Sequence, residues 1–127
     1  MKTPTLYHFT CYHGHAGISK TSTIVPNLHP LMRNLGPLIW LTSEPEPTRE
    51  SAGLTSRWIR CDRMAYRYIV QPKAALHWRE IRDRAPREIV QTLESFSRPE
   101  TWYIARRPLL ASEFSFDATW QKQEVSR

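Results

Sequence analysis

Glycine is scarce in this chain, with four residues in 127 against ten prolines. That balance favours short elements joined by stiff turns over flexible linkers. No run of 18 apolar residues occurs, so no membrane span is expected. The opening Met1-Lys2-Thr3-Pro4 lacks the apolar stretch of a secretion signal. Cysteine is limited to Cys11 and Cys61, which excludes a scaffold built on several disulfides. The expectation is a cytoplasmic protein with reduced thiols, and a single Cys11–Cys61 bridge is the alternative. Cys11, His13 and His15 are metal-ligand types, but no second ligand pair follows at zinc-like spacing, so no metal is expected. Acidic residues are the minority charge: 12 Asp and Glu against 18 Lys and Arg leave a net +6. The excess suits a nucleic acid, a nucleotide or an acidic protein partner, and is equally compatible with solubility alone.

Apolar residues make up 40% of the chain, enough to build a core. The length fits one domain over residues 1–127, with 118–127 as a partly frayed polar tail. Leu6-Tyr7-His8-Phe9-Thr10 reads as the first strand, and strand geometry puts His8 and Thr10 on one face with Tyr7 and Phe9 on the other. Cys11 to Gly17 is a loop or helix start, Ile24-Val25-Pro26 a brief extended piece, and 27–36 a loop. Leu38 to Thr42 is a continuous apolar run, as expected of a strand covered on both faces. Thr42 or Ser43 then stands where a helix cap would be, followed by a short helix carrying Glu44, Glu46 and Glu50 in its early turns and closed by Gly53. Residues 56–62 alternate weakly, and Met64 to Val70 is a stronger strand. Residues 74–83 and 86–96 look helical, the second with Ile89, Val90, Leu93 and Phe96 along one stripe. Glu100 precedes a strand at 101–105, Arg106-Arg107-Pro108 is a turn, and 109–116 returns to β structure. The fold class is α+β.

Three pieces of this pattern resemble the ADP-ribosyltransferase-like superfamily in its His-Tyr-Glu branch, which includes poly-ADP-ribose-polymerase-like enzymes, diphtheria-type toxins and DNA-modifying toxins. Tyr7-His8-Phe9-Thr10 is similar to the opening strand of the branch, in which a histidine holds the nicotinamide-side ribose. Gly36 to Ser43 is similar to its Gly-x-x-Ile-Tyr-Phe-Ala strand, with Trp40 where the family has the tyrosine that stacks on nicotinamide. Pro99 to Ile104, the Arg106–Pro108 turn and Phe114 are similar to its closing segment, where the catalytic glutamate starts a strand; Glu100 takes that place. The two-carboxylate variant of arginine-modifying relatives is absent, since Arg98 stands two residues before Glu100.

The resemblance implies a small fold with two short antiparallel sheets forming a cleft flanked by short helices. It implies NAD as co-substrate and a protein or nucleic acid as acceptor. Breaking the nicotinamide–ribose bond builds positive charge on the sugar, which a carboxylate such as Glu100 would stabilise. His8 would grip the ribose with Thr10 in support, and Trp40 would offer its indole to the cationic ring. Thr42, Ser43 and Arg49 join the cofactor-binding set; Arg33 and Lys20 are weaker phosphate candidates. Each residue has a plain structural reading beside this one: Trp40 as core, Glu100 as a solvated strand start, Thr42 and Ser43 as caps. Two alternatives stand beside the enzyme: an inactive nucleotide- or partner-binding member of the same fold, and a small basic nucleic-acid-binding protein using Trp58, Tyr66, Arg67, Tyr68, Arg106 and Arg107.

Overall fold

The computed structural model describes residues 4–48 and 63–120. Its architecture is α+β, with strands β1 Leu6–Thr10, β2 Thr23–Ile24, β3 Ile39–Thr42, β4 Tyr66–Val70, β5 Leu76–His77, β6 Trp102–Ala105, β7 Leu109–Leu110 and β8 Phe114–Phe116. Two α-helices accompany them, α1 Tyr12–Thr21 and α2 Arg87–Glu94. Six strands form one sheet in the order β5-β6-β3-β1-β4-β8, and β2 pairs with β7 in a second. All of these pairings are antiparallel. Among the described residues, no helix is long and apolar enough to cross a membrane.

The six-stranded sheet divides two cores. Because strand side chains alternate, the register fixes which residues meet. Leu6 pairs with Val70, His8 with Tyr68 and Thr10 with Tyr66, so these six share the first face. That face carries the core of Leu6, Ile39, Leu41, Tyr68, Val70 and Ala105, closed by Ile18 from α1 and by Ile24 and Leu109 from the small sheet. The second face holds Trp40, Trp102 and Ile104, covered by Met32, Leu35 and Leu38 of the 27–38 segment, by Trp78 and Ile81, and by Val90 of α2. β3 lies third in the six-strand order, and its Ile39, Leu41 and Thr42 are buried, as its continuous apolar run anticipates.

Several elements depart from the sequence reading. Residues 12–21 form a full helix on a single buried anchor, Ile18. Residues 76–84 do not continue a helix. Leu76 and His77 add an edge strand to β6, and two 3-10 turns follow at Trp78–Glu80 and Arg82–Arg84. A capping box explains the switch: the His77 ring accepts from the Arg79 amide while the Glu80 carboxylate accepts from the His77 amide, closing a tight turn that buries Trp78 and leads into buried Ile81. Residues 44–48 are bends and irregular chain, where the sequence suggested a helix start. Pro45 and Pro47 lack the amide hydrogens that a helix past its first turn needs, and the Thr42 hydroxyl caps only the Glu44 amide, at 3.1 Å. The rest of that expected helix, with Arg49, Gly53 and the 56–62 strand, lies outside the described residues, as do Trp58 and Cys61. α2 ends at Glu94, so Phe96 leaves the apolar stripe; it adopts a left-handed φ of 59° and is 96% exposed. Finally, the first residues of the expected tail, 118–120, follow a well-held Asp117. Asp117 pairs with Arg67, and the Trp120 ring meets Phe9 edge-on at 5.2 Å and donates its indole N–H to the Met64 carbonyl at 2.9 Å. Residues 121–127 lie outside the described part.

Candidate functional site

His8 lies in the middle of β1, a strand with neighbours on both sides. Its Nδ1 is 3.0 Å from the Trp40 backbone carbonyl. A carbonyl only accepts, so Nδ1 carries the hydrogen and Nε2 is left with its lone pair. Burial pushes the pKa of the ring down; the bond to the Trp40 carbonyl works the other way, and the positive charge of Arg63 adds to the lowering. The imidazole is therefore neutral near pH 7, with an acceptor nitrogen on a half-buried face.

The register lays out a row around it. His77 pairs with Tyr103, Tyr103 with Leu41, His8 with Tyr68, and Tyr68 with Phe116. The Tyr7–Thr42 pairing sets Leu41 opposite His8 and completes the row across all six strands. His77 meets Tyr103 edge-on, with ring centres 5.0 Å apart. On the other side, the Tyr68 hydroxyl is 2.6 Å from His15 Nδ1 of α1, and His15 stacks flat on Tyr66 at 4.2 Å. Burial raises the Tyr68 pKa, so its phenol stays protonated.

The expected companions of His8 are distributed differently. Trp40 is not on its face. Tyr7 opposite Thr42 places Phe9, and not His8, opposite Trp40, so the indole leaves the sheet on the second side. There it packs against Trp78 at 5.0 Å and edge-on against Trp102 at 6.1 Å. The bond from the His8 ring reaches only the backbone carbonyl of Trp40. Trp40 is thus a core residue, and a ring held by His8 cannot also lie on it. Thr10 does share the face of His8, but it is buried against α1: a Cβ built on Gly14 would come within 2.0 Å of its Oγ1. It serves helix docking.

Thr42 and Ser43 reach another part of the site. Neither starts a helix. The Thr42 hydroxyl lies 3.4 Å from that of Thr101, and the Ser43 amide donates to the Thr101 carbonyl at 2.9 Å. Both tie the end of β3 to the 3-10 turn Pro99–Thr101 that carries Glu100. Glu100 stands at the head of β6, two strands from β1. Two strand spacings are about 10 Å. Its carboxylate is exposed and takes a long contact of 3.4 Å from Arg98, which also binds Glu44 at 2.8 Å. One Glu44 oxygen, Oε1, is buried and has no hydrogen-bond partner among the described residues. Among the described residues, His8 and Tyr103 share the first face, Glu100 stands in the turn that leads into β6, and Trp40 points to the second face.

Of the other candidates, Arg33 is exposed in its 3-10 turn, and Lys20 is exposed in the last turn of α1. The second face has a pocket of about 410 Å³ lined by Pro45, Glu46, Arg67, Thr119 and Trp120. Its arginine is committed: the guanidinium donates to Asp117 and the Pro45 carbonyl and lies over the rings of Tyr7 and Trp120. Arg67 and the buried Tyr68 are structural, which removes two members of the suggested nucleic-acid surface. Sequence reasoning missed Tyr103 and His77. Tyr103 lies three residues after Glu100, on the strand that the Glu100 turn leads into, which could have marked it; His77 carries no signal, because its segment reads as helical.

No known family model, curated protein sequence or solved structure matches this chain.

Proposed function

We propose that this protein is an NAD-dependent ADP-ribosyltransferase acting on a protein or nucleic acid in the cytoplasm, with its reactive centre on the His8 face of the sheet. The observation that carries the reading is the neutral His8 ring, whose bare Nε2 stands in one row with Tyr103. An acceptor nitrogen on a rigid strand suits a sugar hydroxyl, which donates to it. Tyr103 takes the ring-stacking role that the family resemblance gives to Trp40. Glu100 supplies the carboxylate. The donor set fits a nicotinamide-bearing ribose: one hydroxyl acceptor, one aromatic platform and one anion.

The chemistry follows from those groups. The bond between ribose C1′ and the nicotinamide nitrogen breaks, and the ring leaves with the bonding electron pair. A nucleophile of the acceptor forms the new bond to C1′ and gives its proton to Glu100 or to solvent. Glu100 offsets the positive charge that grows on the sugar between these events. His8 holds the sugar in place.

A second reading is an NAD- or nucleotide-binding protein without turnover. The contact of Arg98 with Glu100 favours it, since a carboxylate shared with a guanidinium is less available to a cationic sugar. Calorimetry with NAD, together with transfer of labelled NAD to DNA, RNA and lysate proteins, separates the two. The enzyme reading predicts that His8→Ala weakens NAD binding about tenfold. It predicts that Glu100→Gln slows transfer about 100-fold with binding kept, and that Trp40→Phe leaves NAD affinity unchanged. Binding without transfer by the wild type selects the second reading. Wild-type protein that takes up neither NAD nor another nucleotide removes both.

A further inference from the structure

The turn that carries Glu100 is fastened from several sides, and one fastening comes from a residue far away in sequence. His77 Nε2 lies 2.8 Å from the Glu100 backbone carbonyl. The other ring nitrogen of His77, Nδ1, accepts the Arg79 amide at 3.1 Å. An amide only donates and a carbonyl only accepts, so these two partners fix one tautomer: bare Nδ1 and protonated Nε2. The His77 backbone is itself locked, by pairing with Tyr103 on β6 and by the Glu80 carboxylate on its amide at 2.9 Å. His77 is thus a rigid donor aimed at Glu100.

We propose that His77 is the positioning residue of Glu100, setting the depth at which its carboxylate faces the sugar held by His8. This rests on the reading of Glu100 as the catalytic carboxylate. The other ties to the turn do not replace it. Thr42 and Ser43 grip Thr101, and Arg98 reaches the Glu100 side chain only at 3.4 Å. Among the described residues, His77 is the one side chain that bonds the main chain of Glu100 itself, and its ring also borders Tyr103. A small rotation of this turn would swing the carboxylate away from the breaking bond, and displacements of about 1 Å in such groups can cost 100-fold in rate.

The test uses His77→Leu, which removes both ring bonds, and His77→Gln, which keeps a side-chain N–H of similar reach. Amide hydrogen exchange at Thr101 and Ser43 reads the hold directly, without any reaction. His77→Leu is expected to speed exchange at both about tenfold or more, with His77→Gln close to wild type and unfolding midpoints within a few degrees. In transfer assays, kcat should fall about 10- to 100-fold in His77→Leu, with KM for NAD within about twofold, and should recover in His77→Gln. Unchanged exchange in His77→Leu overturns the hold whatever the activity. Faster exchange with an unchanged kcat overturns the positioning role, provided that Glu100→Gln is inactive. If Glu100→Gln transfers as well as wild type, the assignment of Glu100 fails, and the catalytic role of His77 falls with it.

Discussion

Gly14 and Gly17 sit on the same helix and should answer an added methyl in opposite ways. At Gly14 a Cβ would press into Thr10 at 2.0 Å, where α1 docks on the first face; at Gly17 nothing lies within 4 Å. Gly14→Ala is therefore expected to cost about 1–3 kcal/mol by forcing the helix off the sheet. Gly17→Ala should gain up to about 1 kcal/mol, since glycine is a poor helix former. Urea midpoints of the two variants check this; equal shifts would mean that α1 does not dock through Thr10. The same close approach is why Thr10 reads as structural. The sequence placed His8 and Thr10 on one face, correctly, yet could not say that a helix would cover one and leave the other half-open. Phe96 shows the opposite limit. Its spacing matches the stripe of α2, but the helix stops two residues earlier, and a side chain counted toward the core ends in solvent.

At the scale of elements, the strands of the main sheet were legible where they were apolar and continuous. β1, β3, β4 and β6 fall within a residue or two of their expected places, and α2 within its expected span. What could not be read was how strands face one another. Whether His8 and Trp40 share a side depends on the parity of the β1–β3 register, and both parities satisfy the same apolar pattern. β5 and the turns after it were hidden because Trp78 and Ile81 mimic helical spacing. The segment after β8 was hidden because its composition is polar; its hold comes from one ion pair and one indole. That hold is testable. The hydroxyl of Thr119, then Arg67, keep the Asp117 carboxyl down at about 2 from its ordinary 3.8. A lowered carboxyl pKa adds stability that is complete above the unfolded value and fades as pH falls through the folded one. Between pH 4 and pH 2 the wild type should lose this share, whereas Asp117→Asn, less stable at pH 7, should lose less over the same interval. Urea unfolding at pH 7, 4, 3 and 2 measures both slopes, and parallel curves would show that the Arg67–Asp117 pair does not fasten the segment.

Across the whole molecule, the two cores are not independent. β3 and β6 send alternate side chains to each, so neither can dissolve without stripping the strands that support the other. Unfolding is expected to be one transition. Tryptophan fluorescence weighs the second core, which holds Trp40, Trp78 and Trp102, while far-UV circular dichroism weighs the backbone as a whole. Their urea midpoints should coincide, and two separated midpoints would show that the faces melt apart. The joint construction has a cost for function. The row through His8 must stay partly open on a sheet whose other side is packed with tryptophan, so changes that loosen the second core should disturb the row from behind.

The two strands that bound the main sheet are β5 and β8, of two and three residues. An exposed sheet margin is a template on which another chain can continue the hydrogen-bond ladder, and short margins are one of the ways in which proteins discourage it. Among the described residues this sheet offers at most three consecutive backbone positions at either side, too few to seat an extended peptide firmly. Self-association by stacking strands is correspondingly disfavoured at high concentration. A macromolecule that meets this protein at those margins has to be recognised by side chains.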